Sequence, residues 1–366
     1  MQKTLLIFSP SIEDGGVEKN LYNITNYLSD KINKVSIITA NYNKKKKFNN
    51  KVNFISPSNN FWNYSNRYLK TFICIYLFTL FFFKEKNKIT IFSFNSNIFA
   101  ILIAKIFCCK IVIRSNASPQ GYAVNSLKKK IFSIFLKLSD RIIVNSLEFK
   151  NQIKQKFNVE ALCIYNPLED IKYIKRLSQK KIFFNFFRND CLNIITIGRL
   201  VKQKDQITLL KSIMILSNKI KMKVLIIGDG EKKKDLLNFI KYNNLHKIVK
   251  IIKFQKNPYS YIFKSDLFIL TSLYEGLPNV LLEAQALKKF IISSNCQTGP
   301  REILSAGKYG ELFDVGNYNQ LSNKISYFYK NQKKSKKKIN LGYKKLFRFN
   351  FKNNCNQYLK TIIKFL

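Results

Sequence analysis

Residues 265–287 read SDLFILTSLYEGLPNVLLEAQAL, and this stretch decides the fold class. A short apolar run at residues 267–271 is followed by a turn with Gly276 and Pro278, and then by an apolar segment of helical length at residues 279–287. Strand, turn and helix in this order are typical of parallel βαβ units. We therefore expect an α/β protein in which the turn lies at the carboxyl end of a sheet, where doubly wound folds bind ligands.

The alternation of strands and helices extends from this stretch towards both ends of the chain. It breaks near Asn166 and Pro167, and residues 168–190 are polar, basic and poorly periodic, so we place a domain junction there. The predicted strands are residues 4–8, 35–39, 52–55, 89–93, 111–114 and 141–145 before the junction, and 193–197, 223–227, 249–254, 267–271 and 290–293 after it.

Composition excludes several classes of protein. The chain has 366 residues, of which 46% are hydrophobic and 14% aromatic, enough for the cores of two domains and too apolar for a disordered chain. Its seven cysteines are odd in number and scattered without a CxxC pair, and there is a single His, so we expect neither a disulfide scaffold nor a zinc site. No D-x-D pair occurs, and we expect no metal and no cofactor.

The formal net charge of +43 allows three interpretations. The excess is mostly Lys and accompanies heavy use of Asn, Ile, Phe and Tyr, which A/T-rich codons supply without any function attached. Attraction to an anionic lipid surface is the second interpretation, and nucleic-acid binding is the third. Since no nucleic-acid-binding module is recognisable, we expect no nucleic-acid partner.

The longest apolar run is 13 residues, at residues 71–83, short of the roughly 20 residues that span a bilayer. It predicts a core helix buried against a sheet or, alternatively, a helix that lies in the membrane interface. The N-terminal residues MQKTLLIFSP read as a first strand rather than as a signal peptide. We expect a cytoplasmic protein, peripheral on the inner face of the cytoplasmic membrane.

Acidic residues are scarce, so the positions of Glu275 and Glu283 are informative. The turn between them presents backbone N–H groups at a helix N-terminus, which is an anion site. One hypothesis is that a diphosphate binds at the turn while the two carboxylates hold hydroxyl groups on either side. The alternative is structural, with Glu275 capping the helix and Glu283 paired with a Lys.

Basic residues and glycines follow two other predicted strands of the second half. Gly198 frees the backbone, and Arg199 with Lys204 then suits a diphosphate, because Arg offers a planar fork and Lys a point charge. Gly228 and Gly230 form only a fragment of a dinucleotide fingerprint, whose third glycine is missing, so no dinucleotide site is expected.

In the first half, Gly15 and Gly16 link the first strand to the first helix. They allow either close approach of a ligand to the backbone or merely a tight turn.

Taken together, these motifs resemble the GT4 family of retaining glycosyltransferases, which have the GT-B architecture. The most specific element is the E-x7-E motif from Glu275 to Glu283, and the similarity is strongest over residues 193–316. Supporting motifs are GGVE (15–18), YNP (165–167), GRLVKQK (198–204), GDGEKKKDL (228–236), SSNCQTGPREIL (293–304) and GKYGELF (307–313).

The resemblance implies a GT-B fold, with two Rossmann-like doubly wound domains facing each other across a cleft. It implies an N-terminal acceptor-binding domain at residues 1–168 and a C-terminal donor-binding domain at residues 185–345. A C-terminal helix at residues 346–366 would pack back toward the N-terminal domain.

For the donor, the resemblance implies a role for each matching residue. Arg199 and Lys204 would neutralise the diphosphate, Glu283 would hold the ribose hydroxyls, and Glu275 would contact the transferred sugar. The catalytic residues implied are Glu275, Arg199 and Lys204. The donor-binding residues implied are Gly198, Gly228, Gly276, Leu277, Pro278, Asn279 and Glu283.

For the acceptor, the resemblance implies that the loop of Gly15 and Gly16 faces the reacting centre. Many relatives carry a His after the strand that corresponds to residues 111–114, whereas this chain has Ser115 and Asn116, so the role of that His is absent or taken by one of them.

The implied activity is transfer of a hexose or N-acetylhexosamine, with retention, from a UDP-linked donor to a glycan acceptor. The acceptor would be lipid-linked, through undecaprenyl diphosphate, or a surface polysaccharide. The alternatives are a nucleotide-sugar epimerase or hydrolase on the same architecture, and a non-catalytic basic protein that binds anionic membranes or nucleic acid.

Overall fold

The computed structural model describes residues 3–13, 15–85, 88–116 and 126–366, with the side chains of residues 126–128 left out. The chain divides into two compact units. Unit 1 consists of Met1–Pro167 and Phe351–Leu366, and unit 2 of Leu168–Asn350.

Unit 1 is built on a parallel sheet with the strand order β3-β2-β1-β4-β5-β6-β7 in its described part. Its strands are buried on both sides, which is why they appear in the sequence as short continuous apolar runs. The strands are β1 (Lys3–Phe8), β2 (Val35–Ile38), β3 (Val52–Ile55), β4 (Lys88–Ser93), β5 (Lys110–Ser115), β6 (Arg141–Val144) and β7 (Leu162–Cys163).

Helices connect these strands and cover the two faces of the sheet. They are α1 (Gly16–Ser29), α2 (Phe61–Tyr64), α3 (Arg67–Lys84), α4 (Asn97–Ile106), α5 (Ser126–Leu138) and α6 (Leu147–Phe157). Within the described residues, no helix of either unit combines the length and the hydropathy needed to cross a membrane.

Unit 2 repeats the architecture, with the order β10-β9-β8-β11-β12-β13 over its parallel sheet. The strands are β8 (Leu192–Ile197), β9 (Met222–Ile227), β10 (Val249–Ile252), β11 (Leu267–Leu270), β12 (Phe290–Ser294) and β13 (Glu311–Phe313). The helices are α7 (Ile171–Ser178), α8 (Gln206–Leu216), α9 (Lys233–Tyr242), α10 (Tyr259–Lys264), α11 (Asn279–Ala286), α12 (Pro300–Ile303), α13 (Tyr318–Lys330) and α14 (Gln332–Lys344).

The last helix, α15 (Phe351–Ile363), belongs to unit 1, where it packs on α1. Its Tyr358 is fully buried and accepts a 2.9 Å hydrogen bond from Nε of Arg114 at the end of β5. Unit 1 is therefore assembled from two separate stretches of the chain.

The predicted α/β class with two Rossmann-like domains is confirmed, since each sheet is parallel and its first strands follow the 3-2-1-4 order of doubly wound folds. Among the strands and α-helices of the described residues, four were not predicted: the short edge strands β7 and β13, the four-residue helix α2, and α7, which lies in the stretch interpreted as a polar junction.

Neither interpretation of residues 71–83 describes the whole of α3. The helix buries Cys74 and Phe78 in the core of unit 1, yet large apolar side chains on its other face are exposed.

Candidate functional site

The loops that follow β8 and β11 are held together at the carboxyl end of the unit 2 sheet. The two strands are parallel neighbours, so both loops leave the same edge. Leu273 N–H donates to the Gln203 carbonyl at 2.8 Å, and the Gln203 side-chain amide donates to the Tyr274 carbonyl at 2.8 Å. The Thr271 hydroxyl donates to the Lys204 carbonyl at 2.9 Å. These hydrogen bonds join the two loops, and we call the joined loops after β8 and β11 the floor of the candidate site.

Glu275 and Lys204 form an ion pair on this floor. Their side chains are 8% and 16% exposed, so the pair is shielded from water without being sealed off. Ser272 donates to the same oxygen, Oε1 of Glu275, at 2.6 Å, whereas Oε2 has no hydrogen-bond partner among the described residues. The geometry leaves one carboxylate oxygen able to accept a further hydrogen bond.

A second layer of hydroxyl groups fixes the backbone around Glu275. Thr298 donates from its hydroxyl to the Glu275 carbonyl, and Ser294 donates to the Ser272 carbonyl at 2.6 Å. Burial and the nearby Glu275 carboxylate raise the pKa of the Cys296 thiol to about 12, so this thiol is neutral at physiological pH. It adds no negative charge to the site.

Helix α11 begins directly after this loop. Pro278 precedes its first turn, and among the described residues no side chain caps that end, so its first N–H groups are directed out of the helix toward the loop. Glu283 is the fifth residue of α11 and is 5% exposed. The hydroxyl of Tyr259 lies 3.5 Å from Oε1 of Glu283 and 3.4 Å from Oε2 of Glu169.

The two glutamates thus lie on either side of the α11 N-terminus, as the sequence indicated. The structural alternative for Glu275 is not what the structure shows, because its carboxylate bonds Lys204 and Ser272 rather than capping α11.

Two further predicted donor-site residues, Arg199 and Gly228, lie in the loops that follow β8 and β9. Arg199 is exposed on the loop after β8, while Gln206 donates a hydrogen bond to its backbone carbonyl. A Cβ on Gly228 would lie 1.9 Å from the Gly198 carbonyl oxygen, so this position needs glycine for the close approach of two loops. Gly228 therefore has a packing role whether or not it touches a ligand.

A glycine that the sequence analysis did not single out also supports the site. Gly299 has φ +80°, and a Cβ there would lie 2.0 Å from the Gly276 carbonyl oxygen. The loop after β12 thus packs against the turn from Gly276 to Pro278. This contact fixes the backbone that leads into α11.

In unit 1, the carboxyl ends of the sheet strands carry Ser and Asn side chains. Asn95 donates to the Ser9 hydroxyl at 3.1 Å, and Asn116 donates to the Phe94 carbonyl at 2.6 Å. The amide oxygens of Asn95, Asn116 and Asn145 are buried without a hydrogen-bond partner within the described residues. Buried unpaired acceptors of this kind call for an explanation such as a bound donor group.

The other unit 1 candidates lie at the same edge. Ser115 is the last residue of β5, next to Asn116. Gly15 has an extended backbone and Gly16 begins α1, and both are exposed in the loop that follows β1.

Sequence reasoning missed the residues that support the named ones: Ser272, Thr298, Tyr259, Asn95 and Asn145. Ser272 had a weak signal in its position three residues before Glu275. Tyr259 and Thr298 lie elsewhere in unit 2, and Asn95 and Asn145 lie in unit 1; no local sequence pattern marks any of them. Among the described residues, no cluster of His, Cys, Asp and Glu side chains could hold a metal ion.

Residues 178–345 match the family model described as glycosyl transferases group 1. The match covers both loops of the floor and α11. This part of the chain is similar to group 1 glycosyl transferases. The family resemblance inferred from the motifs is thereby confirmed.

Proteins of Methanocaldococcus and Campylobacter are similar to this chain over more than half of its length. It is 35% identical over 218 residues to an uncharacterized glycosyltransferase of Methanocaldococcus jannaschii, covering 56% of this chain and 53% of the relative. It is 29% identical over 227 residues, 58% of this chain and 60% of the relative, to N-acetylgalactosamine-N,N'-diacetylbacillosaminyl-diphospho-undecaprenol 4-alpha-N-acetylgalactosaminyltransferase of Campylobacter jejuni. The chain spans little more than half the length of the curated relatives it matches.

The fold as a whole is shared with a solved structure. Anabaena HepE in complex with UDP and glucose superimposes with a TM-score of 0.80 over 100% of both chains, at 16% identity. The predicted GT-B fold is therefore confirmed for this chain.

Proposed function

We propose that this protein is a retaining glycosyltransferase of the GT4 type. It moves a hexose or N-acetylhexosamine from a UDP-linked donor to a lipid-linked or surface-polysaccharide glycan. The observation that carries the proposal is the grouping of Lys204, Glu275 and Glu283 around the N-terminus of α11. The UDP complex of HepE and the activity named for the Campylobacter relative support the donor and acceptor classes.

Unit 2 is the donor domain in this proposal. When the bond between sugar and diphosphate breaks, negative charge grows on the leaving phosphate. Lys204, Arg199 and the N–H groups of α11 stabilise that charge because they are positioned before the reaction begins. Oε2 of Glu275 accepts a hydroxyl of the transferred sugar, and Glu283 accepts the ribose hydroxyls.

No strong protein base is required in this mechanism. The leaving phosphate oxygen takes the proton of the acceptor hydroxyl on the same face of the sugar, so the anomeric configuration is retained. The binding of both substrates supplies the orientation that this step needs. The proposal thus agrees with a chain whose one His, His246, lies outside the floor.

Unit 1 is the acceptor domain in this proposal. The unpaired amide oxygens of Asn95, Asn116 and Asn145 accept hydroxyl or N–H donors of a glycan, and Ser115 and the loop of Gly15 and Gly16 lie at the same edge. The proposed place of action is the inner face of the cytoplasmic membrane, where a lipid-linked acceptor is anchored.

Replacement of Lys204 tests the donor site. Lys204→Ala removes a cation that stabilises the leaving diphosphate, so we expect the rate of sugar transfer to fall about 100-fold or more. The assay incubates purified enzyme with UDP-sugars and short lipid-linked acceptors and detects products by mass. Lys202→Ala is the matched control, since Lys202 is exposed in the same loop, and it should keep full activity.

Full activity of Lys204→Ala would refute the site assignment. A product with inverted anomeric configuration would refute the mechanism, and turnover of the UDP-sugar without any acceptor would favour an epimerase or hydrolase instead.

A further inference from the structure

The outward face of α3 carries an aromatic stripe. Tyr68, Phe72, Tyr76 and Leu80 follow one another at a spacing of four residues, so they share one side of the helix, and they are between 51% and 69% exposed. The opposite side packs Cys74 and Phe78 into the unit 1 core. The stripe is thus the unburied side of a well-anchored helix.

Helix α4 lies beside α3 and adds to its exposed apolar surface. Ring contacts of 6.2 Å between Phe72 and Phe99, and between Phe83 and Phe107, place α4 beside α3. On α4, Leu102 and Ile106 are exposed. We call the exposed side chains of Tyr68, Phe72, Tyr76, Leu80, Leu102 and Ile106 the α3 face. Contiguous apolar surface of this kind on a protein marks a docking site.

The charged side chains of helices α3, α4 and α5 have one sign. Helices α3, α4 and α5 contain no Asp or Glu. Between residues 67 and 139 the sole acid is Glu85, whose side chain is 6% exposed and pairs with Lys34 at 2.7 Å. Lys84 and Lys105 are exposed at the ends of α3 and α4, and α5 adds the exposed Lys129, Lys130 and Lys137.

This charge decides between the possible occupants of the α3 face. A second copy of the chain would bring lysines against lysines, which repel each other. An anionic lipid surface complements the lysines and accepts the rings, since tyrosines settle at the boundary between headgroups and acyl chains. With 18 residues, α3 provides a stripe about 27 Å long.

We propose that the α3 face docks unit 1 onto an anionic lipid bilayer, with α3 lying in the plane of the interface. The proposal extends the proposed function, since it names the surface that holds the enzyme where a lipid-linked acceptor is anchored. Its evidence lies in unit 1 and does not involve the donor site. The two can therefore fail separately.

Flotation of the full-length protein with vesicles tests the docking. We expect binding to vesicles of phosphatidylcholine mixed with phosphatidylglycerol, weaker binding at high salt, and none to phosphatidylcholine alone. The double variant Phe72→Ser/Tyr76→Ser should bind the mixed vesicles about tenfold or more weakly, because two rings no longer enter the interface. Both side chains are exposed, so the fold should persist, as a thermal melt would check.

The matched control is Phe254→Ser/Tyr242→Ser, which removes two comparably exposed rings from unit 2 and should bind like the unmodified protein. Equal binding by the Phe72/Tyr76 variant, or no binding to the mixed vesicles, would overturn the proposal. So would a dimer in solution that the Phe72/Tyr76 variant abolishes while vesicle binding is unaffected. Transfer to a soluble acceptor, measured in parallel, shows whether the proposed function holds when docking fails.

Discussion

Glu275 is held in place by residues from three loops of unit 2. Lys204 comes from the loop after β8, Ser272 from the end of β11, and Thr298 from the loop after β12. Burying a charge with few partners is costly, and the bonds from Lys204 and Ser272 hold the carboxylate in one orientation, while Thr298 holds the backbone.

We predict that Ser272→Ala lowers the rate of sugar transfer about tenfold, since a hydrogen bond to a charged group contributes about 1.5 to 3 kcal/mol. The midpoint of thermal unfolding should change little. Ser265→Ala is the control, because Ser265 is equally buried but donates to the Ile262 carbonyl away from Glu275. Equal activities of the two variants would show that Ser272 does not position the carboxylate.

At the scale of single residues, the sequence predicted Lys204 and Glu275 better than the residues that hold the site in place. Lys204 and Glu275 could be placed at one sheet edge because each follows a recognisable strand. Tyr259 could not be connected with Glu283, since the contact depends on how α10 packs beside α11. Such contacts arise from tertiary packing and leave no periodic pattern.

Elements were predictable where they are long and apolar. Strands such as β1 and β9 appear as continuous hydrophobic runs because both faces of their sheets are covered. In contrast, β13 has three residues and begins with the charged Glu311, and β7 has two residues. Neither strand is long enough to show a hydrophobic pattern, so the sequence did not predict them.

Edge strand β13 is held by charges as well as by the burial of Phe313 in the core. Glu311 accepts hydrogen bonds from Lys324 on α13 at 2.7 Å and from Lys338 on α14 at 2.5 Å. Burial raises the pKa of the Glu311 carboxyl, but the two lysines lower it by more, so the net pKa lies below its ordinary value.

We predict that Glu311→Gln lowers the free energy of unfolding of unit 2 at neutral pH by about 1 kcal/mol. Because the folded pKa is depressed, this contribution is present above the ordinary pKa of a glutamate and is lost as the pH falls through the folded value. Urea unfolding across this pH range should therefore show the two proteins converging in acid.

Glu160→Gln serves as the control for Glu311→Gln. Glu160 pairs with Lys154 at an exposed site, so its replacement should change stability little at any pH. A constant difference between Glu311→Gln and the unmodified protein from neutral to acid would contradict the assignment.

At the scale of the whole molecule, unit 1 depends on the far end of the chain. Tyr358 on α15 accepts a hydrogen bond from Arg114, a fully buried cation that also donates to Asn166 at 2.6 Å. Cys355 and Ile362 of the same helix belong to the hydrophobic core beside β1.

We predict that deletion of residues 351–366 destabilises unit 1 selectively. Hydrogen exchange should show faster exchange in β1 and β5, while β8 and β11 keep their protection. Tyr358→Phe is the milder companion variant, since it removes only the hydroxyl that accepts from Nε of Arg114 and donates to the Ile164 carbonyl, and it should cost about 2 kcal/mol. Unchanged exchange in β5 of both variants would show that α15 does not support unit 1.

The position of α15 in unit 1 also affects the order in which the two units fold during synthesis. A ribosome synthesises all of Leu168–Asn350 before it reaches Phe351, so unit 2 has its complete sequence while unit 1 still lacks a helix. Domains fold as units during synthesis, usually the first one first. In this chain we expect the second domain to reach its native state earlier, leaving the first as a partly open intermediate that is exposed to chaperones and proteases in the meantime.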